Sequence, residues 1–321
     1  MIIVPEKEIS GLIGRADCFD AVEKVFAAMA NKDAYNFPVI REAIGYGDAL
    51  YGFKSGFDRV GLALGLKSGG YWPGNEAKGL TNHQSTVILF DADTGKVKAL
   101  VGGNLLTALR TAAASAVSIQ YLAPENAKVL GMIGAGHQSG FQMRAAVEHR
   151  NFEKIIGWNH NPERLEHLKN TATELGLPFE AVGLDQLGAQ ADVIITITSS
   201  FSPLLMDAQV KGGTHIACIG TDTKGKQEVE AGLVARATVF TDEIAQSISI
   251  GECQHAIADG SLKETDIREL GAVINGQIPG RSSPDEITLF DGTGVGLQDL
   301  AVASSVVDLA VKKGVAINVE F

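Results

Sequence analysis

The run Val129-Leu-Gly-Met-Ile-Gly-Ala-Gly-His-Gln-Ser-Gly140 constrains this chain more than any other stretch. Its apolar start predicts a short buried strand, Gly134-Ala135-Gly136 a tight turn, and the residues beyond a helix. That order lays a dinucleotide pyrophosphate against the amides of a helix N-terminus, so it points to a nicotinamide or flavin cofactor. Gly134 permits the turn, Gly136 lets backbone approach the phosphates, and Ser139 keeps the third position small where the usual third glycine is missing. Taken alone, the turn also suits an ordinary strand-turn-helix corner. A second apolar run, Lys154 to Trp158, ends at Asn159, near where such folds place a ribose-binding side chain. That side chain is usually acidic for NAD; here it is an amide.

From Lys128 onward, apolar runs at 129–133, 154–158, 192–197, 215–219, 237–240 and 286–290 alternate with helical or loop segments. This predicts an α/β, Rossmann-type doubly wound parallel sheet over residues 124–296. The stretch 276–285 is a loop. The first third reads differently. Asp17 can cap a helix with Val22, Val25, Phe26 and Met29 on one face, followed by strands around 51–53, 60–66, 85–90 and 96–101. Residues 104–121 form a small-residue helix that Pro124 ends, and a periodic helix over 297–313 returns to this first, α+β domain. The domains are therefore expected at 1–123 with 297–321, and at 124–296.

The chain has 321 residues, 45% of them hydrophobic, and 37 glycines, which suits a compact α/β protein with many tight turns. A formal net charge of -11 argues against nonspecific nucleic-acid or anionic-membrane partners, which need a cationic surface. Cys18, Cys218 and Cys253 lie far apart without a CxxC pair, and the histidines lack ligand spacing, so neither a disulfide framework nor a metal is expected. The first residues lack a basic segment followed by a long apolar run, no apolar stretch approaches about 20 residues, and a cytoplasmic location is expected.

Arg41, Lys54, Lys67 and Arg110 are cations near glycines or strand ends in the first third. Lys67 closes the run Val60 to Leu66 before Gly69-Gly70, where a strand ends and backbone can approach a ligand. Arg110 sits in the small-residue helix, where a guanidinium is costly unless it meets a carboxylate or phosphate. His83, at the start of a strand, either contacts cofactor or substrate or is a half-exposed loop histidine; His137 orders the glycine turn. Asp222 follows a parallel strand at the end where such sheets place ligands, and reads either as a proton-exchanging carboxylate or as an Asx turn before Gly225. Thr198-Ser199-Ser200 ends another strand beside the expected nicotinamide ribose, and Gly292-Thr293-Gly294 offers backbone contacts after the last.

Together, Lys67, Leu106-Thr-Ala-Leu-Arg-Thr-Ala-Ala113, Gly134 to Gln138, Gly220 to Glu228 and Phe290 to Asp299 resemble the ornithine cyclodeaminase/mu-crystallin family over nearly the whole chain. The family includes cyclodeaminases, alanine dehydrogenases, ketimine reductases and a non-catalytic nicotinamide-binding crystallin. The segments 34–43, 50–54, 69–73 and 247–255 resemble a branch that reduces a dicarboxylic imine. The resemblance implies a substrate-binding and dimerisation domain, a homodimer, and NADH-dependent reduction of iminosuccinate to aspartate. The alternatives it carries are an ornithine cyclodeaminase, another ketimine reductase or alanine dehydrogenase, and a crystallin-like binder. It implies that Arg41, Lys54, Lys67, His83, Arg110 and Thr293 bind substrate and that Lys67 and Asp222 manage protons. The cofactor would meet Arg110, Gly134, Gly136, His137, Gln138, Asn159, Thr198, Ser199, Ile219, Gly220, Thr221, Asp222, Lys226 and Gly292. NAD is favoured because no Arg or Lys follows Asn159 before Arg164; NADP stays possible because no carboxylate repels its phosphate. Four cations suit a substrate with two carboxylates.

Overall fold

The computed structural model describes residues 1–320. The chain divides into two compact units: one runs from Met1 to Arg110 and resumes at Val295, and the other is Thr111–Gly294. The division falls inside the helix Asn104–Leu122 rather than after it, at 110 where the sequence suggested 123. The cause is the polar small residues of the later turns. Ser115 donates to Gln142 Oε1, Ser118 Oγ lies 3.1 Å from His215 Nε2, and Leu122 O accepts the Thr288 hydroxyl at 3.1 Å, all within the second unit.

The first unit is an eight-stranded sheet. Its order is Ile317–Asn318, Ile2–Val4, Val97–Gly102, His83–Phe90, Ala63–Tyr71, Leu50–Asp58 and Ala34–Asn36, with Ile40–Ala43 also pairing to Leu50–Asp58. Every pairing is antiparallel except that of Ile2–Val4 with Val97–Gly102. Period-two alternation turns Val87, Leu89, Ala99 and Val101 to one face, fully buried, where the helices Arg15–Ala30 and Gly296–Lys313 pack. The helix Arg15–Ala30 buries Val22, Val25, Phe26 and Met29 as its periodicity predicts. Its cap differs: Gly14 is the N-cap, and Asp17 reaches back from the third helical position to accept the Gly14 N–H at 2.9 Å.

The run Val60 to Leu66 is not one strand. Asp58 accepts the Val60 N–H at 2.9 Å and Leu62 adopts a left-handed φ of 48°, so residues 59–62 turn, and Val60 and Leu62 are exposed. The strand is Ala63–Tyr71. Lys67 consequently stands at its middle, not at its end.

The second unit is an eight-stranded, all-parallel sheet in the order Phe179–Ala181, Lys154–Trp158, Val129–Ile133, Val193–Thr196, His215–Cys218, Thr288–Asp291, Thr238–Thr241 and Arg268–Glu269. Strand order reverses between Val129–Ile133 and Val193–Thr196, the switch point at which doubly wound sheets bind ligands. The short pair Phe201–Leu205 and Gln227–Val229 forms a separate two-stranded sheet without a sequence signal. Among the described residues, no helix is long and apolar enough to cross a membrane.

Candidate active site

Strand register gathers the cations of the first unit. Lys54 pairs with Lys67, Arg41 with Gly52, Gly52 with Gly69, and Tyr71 with His83, so Arg41, Lys54, Lys67 and His83 share one sheet face. Gly69 permits a close strand approach, since a Cβ there would fall 2.4 Å from Gln84 O. Against this face the helix Gly296–Lys313 brings Asp299, fully buried, in its first turn. Asp299 Oδ2 lies 2.8 Å from Lys67 Nζ, and Oδ1 accepts from Arg110 Nε at 2.9 Å. Arg110 Nη1 donates to Gln298 Oε1 at 2.8 Å.

The field of this cluster sets its protonation. Burial, then Arg110 and Lys54, push the Lys67 ammonium down to about 7 against the opposing pull of Asp299. Burial, with Lys67, Arg110 and Arg41, drives His83 down to about 3, so near neutrality it is an uncharged imidazole. Burial alone would raise Asp299; Arg110 and Lys67 outweigh it and hold the carboxyl below its ordinary range. Asp299 and Gln298 were not among the expected site residues, although a carboxylate set between the apolar Leu297, Leu300 and Val302 was a signal that it had a buried partner.

The second unit carries the dinucleotide features. Gly134 has φ 111°, and a Cβ there would lie 2.6 Å from Ile197 O. At Gly136 a Cβ would meet nothing within 4 Å, which is the open space a pyrophosphate needs. Ser139 is buried and donates to Gly136 O at 2.7 Å, closing the turn at the start of the helix Ser139–Ala146. His137 is exposed, its ring 5.4 Å from that of Phe141. Gln138 has a buried side-chain oxygen without a hydrogen-bond partner. Asn159 ends the second strand, and its oxygen accepts the Ala135 N–H at 3.1 Å while its amide donates to Asn161 O at 2.8 Å. The residues present fit a dinucleotide, with Asn159 bracing the turn.

The loops after the next strands are tied by two buried carboxyls that the sequence reading left without a role. Glu228 accepts from Thr196 Oγ1 at 2.7 Å, Thr198 N at 2.6 Å and Gly220 N at 2.9 Å. Glu252 accepts from Glu228 N and Val229 N, both at 2.8 Å, and pairs with the Thr221 hydroxyl. Burial raises both, and the charge of Glu228 helps push Glu252 up to about 8. The pair thus fixes the backbone around Thr198, Ser199, Ile219, Gly220 and Thr221. Asp222, next in line, is held by Lys226 at 2.8 Å, and Lys226 also donates to Gly220 O at 3.1 Å. Thr293 is buried, its N–H and hydroxyl both directed to Asp242 Oδ1 at 3.1 and 2.6 Å beside Gly292.

The chain belongs to the ornithine cyclodeaminase/mu-crystallin family, whose model matches residues 7–314. It is 69% identical to the iminosuccinate reductase of Paracoccus denitrificans (strain Pd 1222), covering 100% of both chains. The crystal structure of that enzyme in complex with NAD+ superposes with a TM-score of 0.96 over 100% of this chain and 99% of that one. An archaeal alanine dehydrogenase dimer with bound NAD is 30% identical, TM-score 0.93, over 100% and 99% of the two chains. The Thermococcus litoralis Delta(1)-pyrroline-2-carboxylate reductase, solved with NADH and L-proline, is 27% identical, TM-score 0.94, over 99% and 100%.

Proposed function

We propose that the protein is an NADH-dependent imine reductase that converts iminosuccinate to aspartate. The observation that carries this reading is the charge of the first unit's cluster. Strand register and mutual electrostatics bring Arg41, Lys54, Lys67 and Arg110 into one field, with Asp299 between Lys67 and Arg110. Four cations gathered around one place attract an anionic ligand, and their number suits one with two carboxylates. The 69% identity to the Paracoccus enzyme supports the same substrate.

The dinucleotide supplies, when bound, the hydride that the imine carbon accepts. Reduction of C=N to CH–NH also takes one proton at nitrogen, leaving NAD+. Lys67, charged below about pH 7 and neutral above it, is matched to give that proton near neutrality. Arg41, Lys54 and Arg110 orient the two carboxylates, and His83 offers a neutral hydrogen-bonding imidazole. Asp222, steadied by Lys226, exchanges a proton with the nitrogen or with solvent. Glu228 and Glu252 hold the backbone of Thr198, Gly220 and Thr221 against the cofactor. Thr293 presents its loop to the substrate.

The open face of the first unit's sheet supports a homodimer. Phe53, Phe57, Leu64, Leu66, Ile88 and Leu100 alternate onto the face away from the two helices and are only partly buried. We assign that face to a second copy of the chain, and the enzyme to the cytoplasm. Light scattering should report a dimer, and Leu66→Glu a monomer; a wild-type monomer contradicts the assignment.

The substrate test compares specificity constants for NADH oxidation with oxaloacetate plus ammonia and with pyruvate plus ammonia, alongside ammonia release from ornithine. The proposal predicts that the dicarboxylic mixture is preferred by at least about 100-fold, since leaving buried charges unpaired costs several kcal/mol. Preferred turnover of pyruvate or ornithine contradicts it, and binding of NADH without any turnover would mark a crystallin-like binder.

A further inference from the structure

The first turn of the helix Gly296–Lys313 is pressed onto the strand that carries Lys54. A Cβ at Gly296 would fall 2.7 Å from Ser55 N and 2.8 Å from Lys54 C, and one at Gly56 would fall 3.1 Å from the Leu297 side chain. Glycine at both contacts lets the helix start sit against the sheet. Three residues into that helix stands Asp299, fully buried, where the helix dipole also favours a negative charge.

Its two oxygens serve two different cations. Oδ2 meets Lys67 Nζ at 2.8 Å and Oδ1 meets Arg110 Nε at 2.9 Å, while the neighbouring Gln298 takes Arg110 Nη1 at 2.8 Å. The Arg110 fork is therefore largely committed within the protein. No hydrogen bond from its Nη2 is present among the described residues. Asp299, fully buried with an oxygen on each cation, has no surface left for substrate.

We infer that Asp299 is the positioning residue of the substrate pocket, fixing the Lys67 ammonium and the Arg110 guanidinium on separate oxygens and, with Gln298, leaving Arg110 Nη2 as that side chain's contact to a substrate carboxylate. The inference rests on the proposed imine-reductase reading. It makes Arg110 a one-armed ligand whose direction is set by the helix start, and it makes the second carboxylate the task of Arg41 and Lys54. It also gives Asp299 a role in protonation. The groups facing Lys67 are Lys54 across the strand pair, Arg110 from the small-residue helix and Asp299, with His83 uncharged and Arg41 in the same field. Asp299 is the one among them that favours the ammonium, so removing its charge lowers Lys67 further below about 7.

Asp299→Asn and Gln298→Leu test this, each read by succinate binding in calorimetry and by kcat and KM, from about pH 6 to about pH 9 with NADH present. Removing an opposite charge at this range moves a pKa by about one pH unit or more. Asp299→Asn should therefore shift the alkaline loss of succinate binding down by at least that much and raise KM at least about tenfold, with NADH affinity unchanged. Gln298→Leu frees Arg110 Nη1 and should raise KM while leaving the pH at which binding is lost in place. Succinate binding and KM that match wild type in Asp299→Asn, at the same pH midpoint, overturn the inference. If that variant does not fold, an unchanged KM in Gln298→Leu overturns it instead. Wild-type protein that binds no dicarboxylate at all removes the substrate reading rather than the role of Asp299.

Discussion

Lys54 and Lys67 stand directly opposite one another on neighbouring antiparallel strands. Like charges in that relationship destabilise a sheet, by up to about 1 kcal/mol, and a carboxylate of the proposed substrate would offset that repulsion. Lys54→Met should raise the thermal midpoint slightly and raise KM for the dicarboxylic imine. Because Lys54 depresses Lys67, its removal should also move the alkaline limb of kcat/KM to higher pH. A lower midpoint with unchanged KM would separate Lys54 from the substrate.

Lys67→Ala should lower turnover by at least about 100-fold, the usual worth of a positioned acid or base, while NADH still binds. Wild-type activity should fall as pH rises through about 7, where the ammonium loses its proton. His83, already neutral, should contribute no limb in that range. Stopped-flow turnover across pH checks both statements, and a variant as fast as wild type ends the case for Lys67.

Gly136→Val probes the phosphate cradle without disturbing the fold. Its Cβ would meet no protein atom within 4 Å, and its φ lies outside the left-handed region, so the protein itself can accept the side chain. The space it fills is the one the proposed pyrophosphate site would use. Fluorescence titration should show NADH affinity lost in a folded variant; retained affinity places the phosphates elsewhere.

Asn159→Asp should favour NADH over NADPH more strongly. The carboxylate can keep the Ala135 N–H that Asn159 now holds, and it adds a charge that repels a 2'-phosphate. A change of about tenfold in the ratio of specificity constants corresponds to about 1.4 kcal/mol. An unaltered ratio would mean that Asn159 only braces the turn.

Glu252→Gln tests the buried acid pair. Unfolded, Glu252 ionises near 4.5; folded, it keeps its proton to about 8. Between those values the unfolded chain releases a proton that the fold retains, so stability falls as pH rises and the fall is complete above about 8. Glutamine can still accept the Glu228 and Val229 amides and can donate to Thr221. The thermal midpoint of wild type should therefore drop more steeply than that of Glu252→Gln from about pH 5 to about pH 8. Parallel curves would show Glu252 ionised throughout.

The second unit was the more legible half. Val129–Ile133 and Lys154–Trp158 have the bounds their apolar runs suggest, because fully buried parallel strands read as continuous apolar segments. Short edge strands such as Phe179–Ala181 and Arg268–Glu269 are too brief to show a period. Lys67 looked like a strand end because Gly69-Gly70 follows it, whereas those glycines lie within the strand and let its neighbours close in. The need of Arg110 for a carboxylate was readable from its apolar helix; that the carboxylate is Asp299 was not, since the partners are 189 residues apart and only the helix start pressed on the sheet joins them.

The most direct test of the central claim follows the hydride itself. The protein is given oxaloacetate, ammonia and NADH deuterated at the transferable position, and the products are examined by NMR. Imine reduction predicts aspartate with a single deuterium on Cα, formed in step with NADH loss. Deuterium appearing in malate, or aspartate formed without the label, would contradict it.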